Sequence, residues 1–143
     1  MTAVAFHFNV PDRRDYACRL LRKALRAQAG VVVTGDEHVL DDLNRQLWIF
    51  EPLEFLPHWR GARAAALPAR LAATPLLLLD QPSAERGQTV LVNLGRQVPE
   101  GYGTFERLIE IVGLDEADRL SARDRWRRYQ GDGRSIERHE VRS

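Results

Sequence analysis

Two apolar segments, with one long helical pattern between them, decide which class of fold is open to this chain. Val4–Val10 alternates in the manner of a strand, and Val31–Val33 is a short β-branched run typical of a buried strand. Residues 13–28 carry the apolar stripe of an amphipathic helix, which Gly30 ends. Because neighbouring parallel strands need such a crossover, the chain is predicted to begin an α/β layer fold.

Later segments continue this alternation. In chain order they predict a helix from about Asp36 to Trp48, strands at Leu76–Leu79 and Thr89–Leu94, a third helix over Phe105–Val112 and a last helix over Asp115–Tyr129. Residues 49–61 break the regular pattern with two prolines, and residues 62–74 predict a loop or a short irregular helix.

Length and charge limit the organisation of the chain. Its 143 residues, 44% of them hydrophobic, suit one compact domain with its own core. We expect a single α/β domain at residues 1–130 and a polar, flexible C-terminal tail at residues 131–143. The net charge of +1 lacks the excess typical of nucleic-acid-binding proteins, so an electrostatic function needs local segregation of charge.

Cysteine use and hydropathy indicate the compartment. Cys18 is the only cysteine, so an intramolecular disulfide is impossible. No basic segment followed by an apolar run marks the N-terminus, and the apolar run Leu76–Leu79 is far too short to span a bilayer. A cytoplasmic protein is expected.

Catalytic signatures are absent from the sequence. It contains no Gly-rich dinucleotide or P-loop pattern and no Gly-x-Ser-x-Gly elbow. The four histidines are scattered without metal-ligand spacing, so neither a metal nor a cofactor is expected. Asp36 and His38 follow a predicted strand, where α/β enzymes place catalytic groups, although a helix N-terminus also favours acids there. No catalytic site is expected.

The last predicted helix carries a cationic stripe, defined by Arg119, Arg123, Trp126 and Arg127. Residues three, four, seven and eight apart share one helix face, so these side chains are predicted to lie together. Arginine binds carboxylates in bidentate fashion, and tryptophan holds apolar groups. The stripe therefore suits an acidic partner, but arginines near a helix C-terminus are also ordinary solvated residues.

An aromatic loop follows the second predicted helix. It contains Trp48, Phe50, Leu53, Phe55, Leu56, Pro57 and Trp59. Such residues either fill the core of the domain or form an exposed patch that anchors another protein. The sequence leaves both alternatives open.

These two segments together resemble the chi subunit of bacterial DNA polymerase III. The first motif is Leu40-Asp-Asp-Leu-Asn-Arg-Gln-Leu-Trp48 followed by Pro52-x-x-Phe55-x-Pro57-His58. The second is Phe105-x-x-Leu-Ile-Glu-Ile-Val112 followed by Arg119-x-x-x-Arg123-x-x-Trp126-Arg127-x-Tyr129. The resemblance implies a three-layer open, mainly parallel sheet with helices on both faces, a Rossmann-like topology without a nucleotide-binding loop.

The resemblance also implies a function. Chi is a non-catalytic accessory subunit that connects the clamp loader to the acidic C-terminal tail of single-stranded DNA-binding protein, which ends in Pro-Phe. The family's tail-binding positions fall on Arg119, Arg123, Trp126 and Arg127, with Val112 near the same pocket. Contact with single-stranded DNA would then be indirect.

A second partner is implied as well. The family binds the psi subunit, or a helicase-like protein that competes with psi, through the region carried here by Trp48, Phe55 and Pro57.

Two other function classes compete with this interpretation. The stripe suits direct binding of single-stranded nucleic acid, with Trp126 stacking on a base and the arginines on phosphates. A small α/β enzyme that uses Asp36 or His38 is the third class, and it needs a polar pocket at the strand ends.

Overall fold

The computed structural model describes residues 1–49 and 55–141, whose strands form one seven-stranded sheet. In chain order the strands are β1 (Ala3–Val10), β2 (Val31–Thr34), β3 (His58–Arg63), β4 (Leu76–Gln81), β5 (Val90–Asn93), β6 (Arg107–Gly113) and β7 (Ser135–Glu140). The α-helices are α1 (Arg13–Arg26), α2 (Glu37–Ile49) and α3 (Glu116–Gly131). The sheet order is β3-β4-β2-β5-β6-β1-β7, and each neighbouring pair is parallel. The predicted open, mainly parallel sheet is confirmed.

Helices α1 and α2 cover one face of this sheet. The side chain of Asp12 caps α1 by accepting a hydrogen bond from the backbone N–H of Asp15 at 3.0 Å, which satisfies a free donor of the first turn. The apolar stripe of α1 buries Leu21, and α2 buries Leu40 and Leu43. They pack in one layer with alternate residues of the central strands, Val31, Val33, Leu76 and Leu78.

The opposite face is covered by α3 and by three short 3₁₀ segments, Ala64–Ala66, Ala69–Leu71 and Tyr102–Thr104. Tyr129 and Ala122 of α3 are buried there, and Val32 points into this layer from the sheet. Because β2 is covered on both sides, all of its residues are buried. The predicted arrangement of helices on both faces is therefore confirmed.

The predicted third helix over Phe105–Val112 is wrong, since Arg107–Gly113 forms strand β6. This strand lies inside the sheet between β5 and β1, and its residues from Leu108 onward are buried. A strand covered on both faces is apolar almost continuously, and that pattern does not alternate. Glu110 within the run made a helix the more natural interpretation of the sequence.

The predicted frayed tail is wrong for Ser135–Glu140, which forms the edge strand β7 parallel to β1. Its residues are mostly exposed, and charged side chains are common on edge strands because they discourage further pairing. The polar composition therefore reflects the position of the strand at the sheet edge.

Residues predicted as irregular after α2 also contain a strand. His58–Arg63 forms β3, the other edge of the sheet, and pairs with β4. The following residues, up to Thr74, include the 3₁₀ segments Ala64–Ala66 and Ala69–Leu71, which agrees with a loop or short irregular helix. Of the helices in the described part of the chain, none has the length and apolar character that a membrane crossing requires.

Candidate functional site

Helix α3 places most of the cationic stripe over one cavity. Asp115 caps the helix, since its side chain accepts a hydrogen bond from the backbone N–H of Asp118 at 2.8 Å. The cavity has a volume of about 540 Å³. After the acidic tail of single-stranded DNA-binding protein that the resemblance implies as a ligand, we call it the tail cavity. Its lining residues are Phe6, Phe8, Asn9, Val112, Arg119, Ala122, Arg123, Trp126 and Arg138.

Four of the five predicted site residues line this cavity, and Arg127 does not. Each helical residue advances by about 100°, so Arg119 and Trp126 point in nearly the same direction while Arg127 turns toward solvent. The Arg127 side chain is 76% exposed and lies 3.5 Å from Asp124 on the same helix. Three residues of the stripe, Arg119, Arg123 and Trp126, therefore line the cavity, and the fourth, Arg127, faces solvent.

The floor of the tail cavity is apolar and aromatic. Phe6 of β1 is buried, and its ring centroid lies 5.1 Å from that of the half-buried Trp126. Phe8, Val112 and Ala122 complete this floor. A surface of this kind accommodates an apolar or aromatic side chain.

The rim of the cavity is polar and cationic. Arg119 donates a hydrogen bond through Nη2 to Oδ1 of Asn9 at 3.1 Å. Asn9 has a left-handed backbone conformation, with φ of 61°, where the register of β1 against β6 shifts. Among the described residues, Arg123 and Arg138 have no carboxylate within ion-pair distance. Two guanidinium groups are thus left to attract an anion.

A buried polar network fixes α3 against the sheet. Glu110 of β6 is fully buried and accepts hydrogen bonds from the Tyr129 hydroxyl at 2.5 Å and from the Asn93 amide at 3.1 Å. Nε of Arg125 lies 3.1 Å from the carboxylate of Glu110 as an ion pair, although its N–H is not aligned for a hydrogen bond. A second nitrogen of Arg125 donates to the Ser121 hydroxyl.

Opposing effects act on the protonation of this network. Burial raises the pKa of Glu110 above its ordinary value, and the charge of Arg125 and the hydrogen bonds from Tyr129 and Asn93 offset only part of that rise. Burial and the neighbouring carboxylate together raise the pKa of Tyr129, so its hydroxyl stays a donor. The charged pair binds α3 to β6 directly behind the tail cavity.

The start of α3 is held separately by Asp118. Arg96 approaches its carboxylate at 2.8 Å, and Arg13 of α1 lies 4.0 Å from it. The same Arg96 lies 3.6 Å from Asp115. Arg13 of α1 and Arg96 of the loop after β5 therefore both contact the first turn of α3.

The aromatic loop forms an exposed patch, as one of its two alternatives predicted. Trp48 is 59% exposed and Phe55 is 61% exposed, with ring centroids 5.4 Å apart. The Trp48 ring lies 4.9 Å from that of His58. We call Trp48, Ile49, Phe55, Pro57 and His58 the aromatic patch. Leu56 is buried and Trp59 is half-buried in the α3 layer, whereas Phe50 and Leu53 lie outside the described residues.

The candidate catalytic residues do not share a cavity. Asp36 lines a cavity of about 630 Å³ at the carboxyl ends of β2, β4 and β5, together with Asp80 and Arg96. His38 lines a different cavity of about 280 Å³ beside Asp42. Within residues 1–49 and 55–141, no group of three or more histidine, cysteine or acidic side chains is placed to hold a metal ion.

Sequence reasoning missed five residues of the tail cavity, namely Phe6, Phe8, Asn9, Ala122 and Arg138. The alternation of β1 did indicate that Phe6 and Phe8 share a face, but not which helix covers it. No local signal marked Arg138, since its segment was predicted to be unstructured.

Comparisons with known proteins agree with the resemblance. The family model described as "DNA polymerase III chi subunit, HolC" matches residues 1–137. The "DNA polymerase III subunit chi" of Pseudomonas aeruginosa is 31% identical over 147 residues, covering 99% of this chain and 98% of that protein. The protein of the same name from Haemophilus influenzae is 25% identical over 130 residues, covering 89% of this chain and 86% of that protein. A "Probable DNA polymerase III subunit chi" of Rickettsia prowazekii is 29% identical over 106 residues, covering 68% and 61% respectively.

Proposed function

We propose that this chain, which belongs to the DNA polymerase III chi subunit family, binds the acidic C-terminal tail of single-stranded DNA-binding protein and links it to the clamp loader. Chi is an accessory subunit of this replicative polymerase. The proposal therefore assigns the chain a coupling role and no catalytic step. One observation supports it above the others: Val112, Arg119, Arg123 and Trp126 line the same cavity.

The apolar floor is proposed to hold the terminal phenylalanine of the tail. Full burial of a phenylalanine side chain contributes about 1.5–3 kcal/mol, whereas an exposed ion pair contributes about 0.2–1 kcal/mol. The contact with Phe6, Val112 and Trp126 is thus the main anchor. The arginines add attraction and select an acidic chain.

The cations are proposed to act at different distances from this anchor. Arg119 and Arg123 line the cavity and pair with acids close to the chain end. Arg127 lies in solvent beside Asp124, which already neutralises part of its charge. It would meet acids further along the tail, with a smaller effect on affinity.

The aromatic patch is proposed to bind the second partner, the psi subunit or a helicase-like protein. Exposed tryptophan and phenylalanine side chains are frequent anchors of protein interfaces. The rings of Trp48 and Phe55 contact each other on the surface, and Pro57 is also exposed. Such a patch suits an apolar protein surface.

Calorimetric titration with a synthetic acidic peptide ending in Pro-Phe tests the tail proposal. Arg123→Ala is expected to weaken binding about two- to fivefold, and Arg119→Glu, which reverses a charge, by more. Arg128→Ala is the matched control, because Arg128 lies on the same helix, pairs with Asp132 and does not line the tail cavity. Unchanged affinity in both the Arg119 and Arg123 variants contradicts the proposal.

A mobility-shift experiment separates this function from direct nucleic-acid binding. The chain alone is mixed with a single-stranded oligonucleotide, and no shift is expected. A shift that is lost in Arg123→Ala would instead assign the stripe to nucleic acid.

A further inference from the structure

Arg138 supplies a wall of the tail cavity from outside α3. It belongs to β7 and is in register with Phe6 of β1. Residues side by side in paired strands point to the same sheet face, so Arg138 projects into the α3 layer as Phe6 does. Ile136, two residues earlier, packs in that layer. The cavity is therefore lined by arginines from two separate elements.

The guanidinium of Arg138 lies against the ring of Phe8, which is part of the apolar floor. Its central carbon lies 5.1 Å from the centroid of the Phe8 ring, which is a cation–π arrangement. Within the described residues no carboxylate pairs with it, although Glu140 follows on the same sheet face. Arg119, in contrast, is already held by Asn9. Arg138 is thus oriented by an aromatic ring while its hydrogen-bond donors stay available for an anion.

We infer that Arg138 binds the terminal carboxylate of a peptide whose last side chain occupies the tail cavity. This inference rests on the proposed function and adds a specificity residue to it. It predicts that the site recognises the end of a chain, and not merely an acidic segment.

The position of Arg138 in the cavity wall distinguishes the terminal carboxylate from other acids. The terminal carboxylate is attached to the same Cα as the side chain in the cavity, whereas each preceding residue lies about 3.8 Å further along the chain. A cation in the wall therefore lies nearer to the terminal carboxylate than to the preceding acids. The planar guanidinium suits it well, because both oxygens accept from one fork of donors.

Peptides that differ only at the last group test this inference. One acidic peptide ending in Pro-Phe carries a free carboxylate, and its twin carries a C-terminal amide. Each is titrated against the original chain, Arg138→Gln and Arg134→Gln. Arg134 is the matched control, because its guanidinium carbon also lies 5.1 Å from an aromatic centroid, that of Tyr102, but it does not line the tail cavity.

The original chain is expected to prefer the free acid about tenfold, as a charge-assisted hydrogen-bond pair at a partly solvated site allows. Arg138→Gln should bind the amide as before and lose that preference, while Arg134→Gln should keep it. Arg138→Lys should restore part of the preference, because it returns the charge without the planar fork.

The results of these titrations distinguish a failure of the Arg138 inference from a failure of the proposed tail binding. If the original chain binds neither peptide, the proposed function fails and the inference with it. If the original chain binds but Arg138→Gln keeps its preference for the free acid, the inference alone is overturned. An equal loss of affinity for both peptides in Arg138→Gln also overturns the inference, since that result indicates general electrostatic attraction or a structural role.

Discussion

The tail cavity and the aromatic patch are two different kinds of surface at opposite edges of one sheet. The cavity lies where α3 crosses β1 and β7, and arginines surround its apolar floor. The patch lies where α2 ends and β3 begins, and it presents the exposed rings of Trp48 and Phe55 in contact with each other. The first suits the charged end of a flexible chain, and the second suits an apolar face of a folded partner. The two surfaces share no residue.

The two surfaces are also built in different ways. The walls of the cavity come from separate elements, of which α3 and β6 are joined by a buried ion pair, whereas the rings of Trp48 and Phe55 in the patch contact each other directly. The geometry of the cavity should therefore depend strongly on residues that do not contact its ligand, whereas the geometry of the patch should not.

The largest effect expected from this difference is that of Glu110→Ala. The substitution leaves Arg125 buried without its charge partner, and breaking a buried ion pair from one side costs about 3–5 kcal/mol. The free energy of unfolding, measured with urea, should fall by about that amount. Glu106→Ala, an exposed carboxylate immediately before β6, is the control and should change it little. A loss below about 1 kcal/mol for Glu110→Ala would show that the pair does not hold α3.

The same buried carboxylate explains where sequence reasoning failed. The helices α1, α2 and α3 and the strands β1, β2, β4 and β5 were predicted close to their actual positions, because apolar periodicity and turn residues are local signals. Strand β6 was not, since the partners of Glu110 come from β5 and α3 and no local pattern shows them.

The candidate site was likewise predictable only where its residues follow a local pattern. Spacing on one helix identified Arg119, Arg123 and Trp126, which do line one cavity. The opposite wall depends on the parallel pairing of β7 with β1, a contact between residues more than a hundred positions apart. A charged edge strand has the same composition as a disordered tail, so the sequence did not indicate that Arg138 lines the cavity.

On the patch side, Trp48→Ala is expected to weaken the proposed binding of the psi subunit or helicase-like protein by about 2 kcal/mol, which is typical of an aromatic anchor. Tail-peptide affinity should stay the same, because Trp48 is remote from α3. Leu120→Ala is the control, as Leu120 is a large side chain that is 51% exposed on α3 and belongs to neither surface. An equal loss of tail binding in Trp48→Ala would show that the two surfaces are coupled.

A smaller difference between the two surfaces is expected in the salt dependence of their binding affinities. The arginines of the cavity are solvent-accessible, so raising ionic strength from 0.05 to 0.5 M should weaken tail binding about tenfold through screening. Binding at the aromatic patch should change little or become stronger, since apolar burial is not screened. The check is calorimetry of both interactions across a salt series. Equal salt dependence would mean that the patch also relies on charge.

The smallest effect expected is a pH dependence at the sheet edge where β1 pairs with β7. His7 of β1 lies on the α1 face of the sheet, opposite the tail cavity, with its ring centroid 4.8 Å from that of His139 of β7, and it hydrogen-bonds to Tyr16. Burial, followed by the charges of His139 and Arg107, lowers the pKa of His7 from 6.5 to about 4. Between these values the unfolded chain binds a proton that the folded chain does not. Stability present at pH 7 is therefore lost as the pH falls from 6.5 toward 4.

Because the His7 ring is half-exposed, solvent screening should limit this loss to about 1 kcal/mol or less. Urea unfolding at pH 7 and pH 5 measures it, and His7→Gln should remove most of the difference, whereas His38→Gln, on the exposed start of α2, should leave it in place. Amide exchange, corrected for the slower intrinsic exchange in acid, locates the effect: protection should fall more in β7, which completes the cavity, than in β3, which borders the patch. An equal fall in protection in both edge strands would trace the loss to the whole sheet and not to the pairing of β1 with β7.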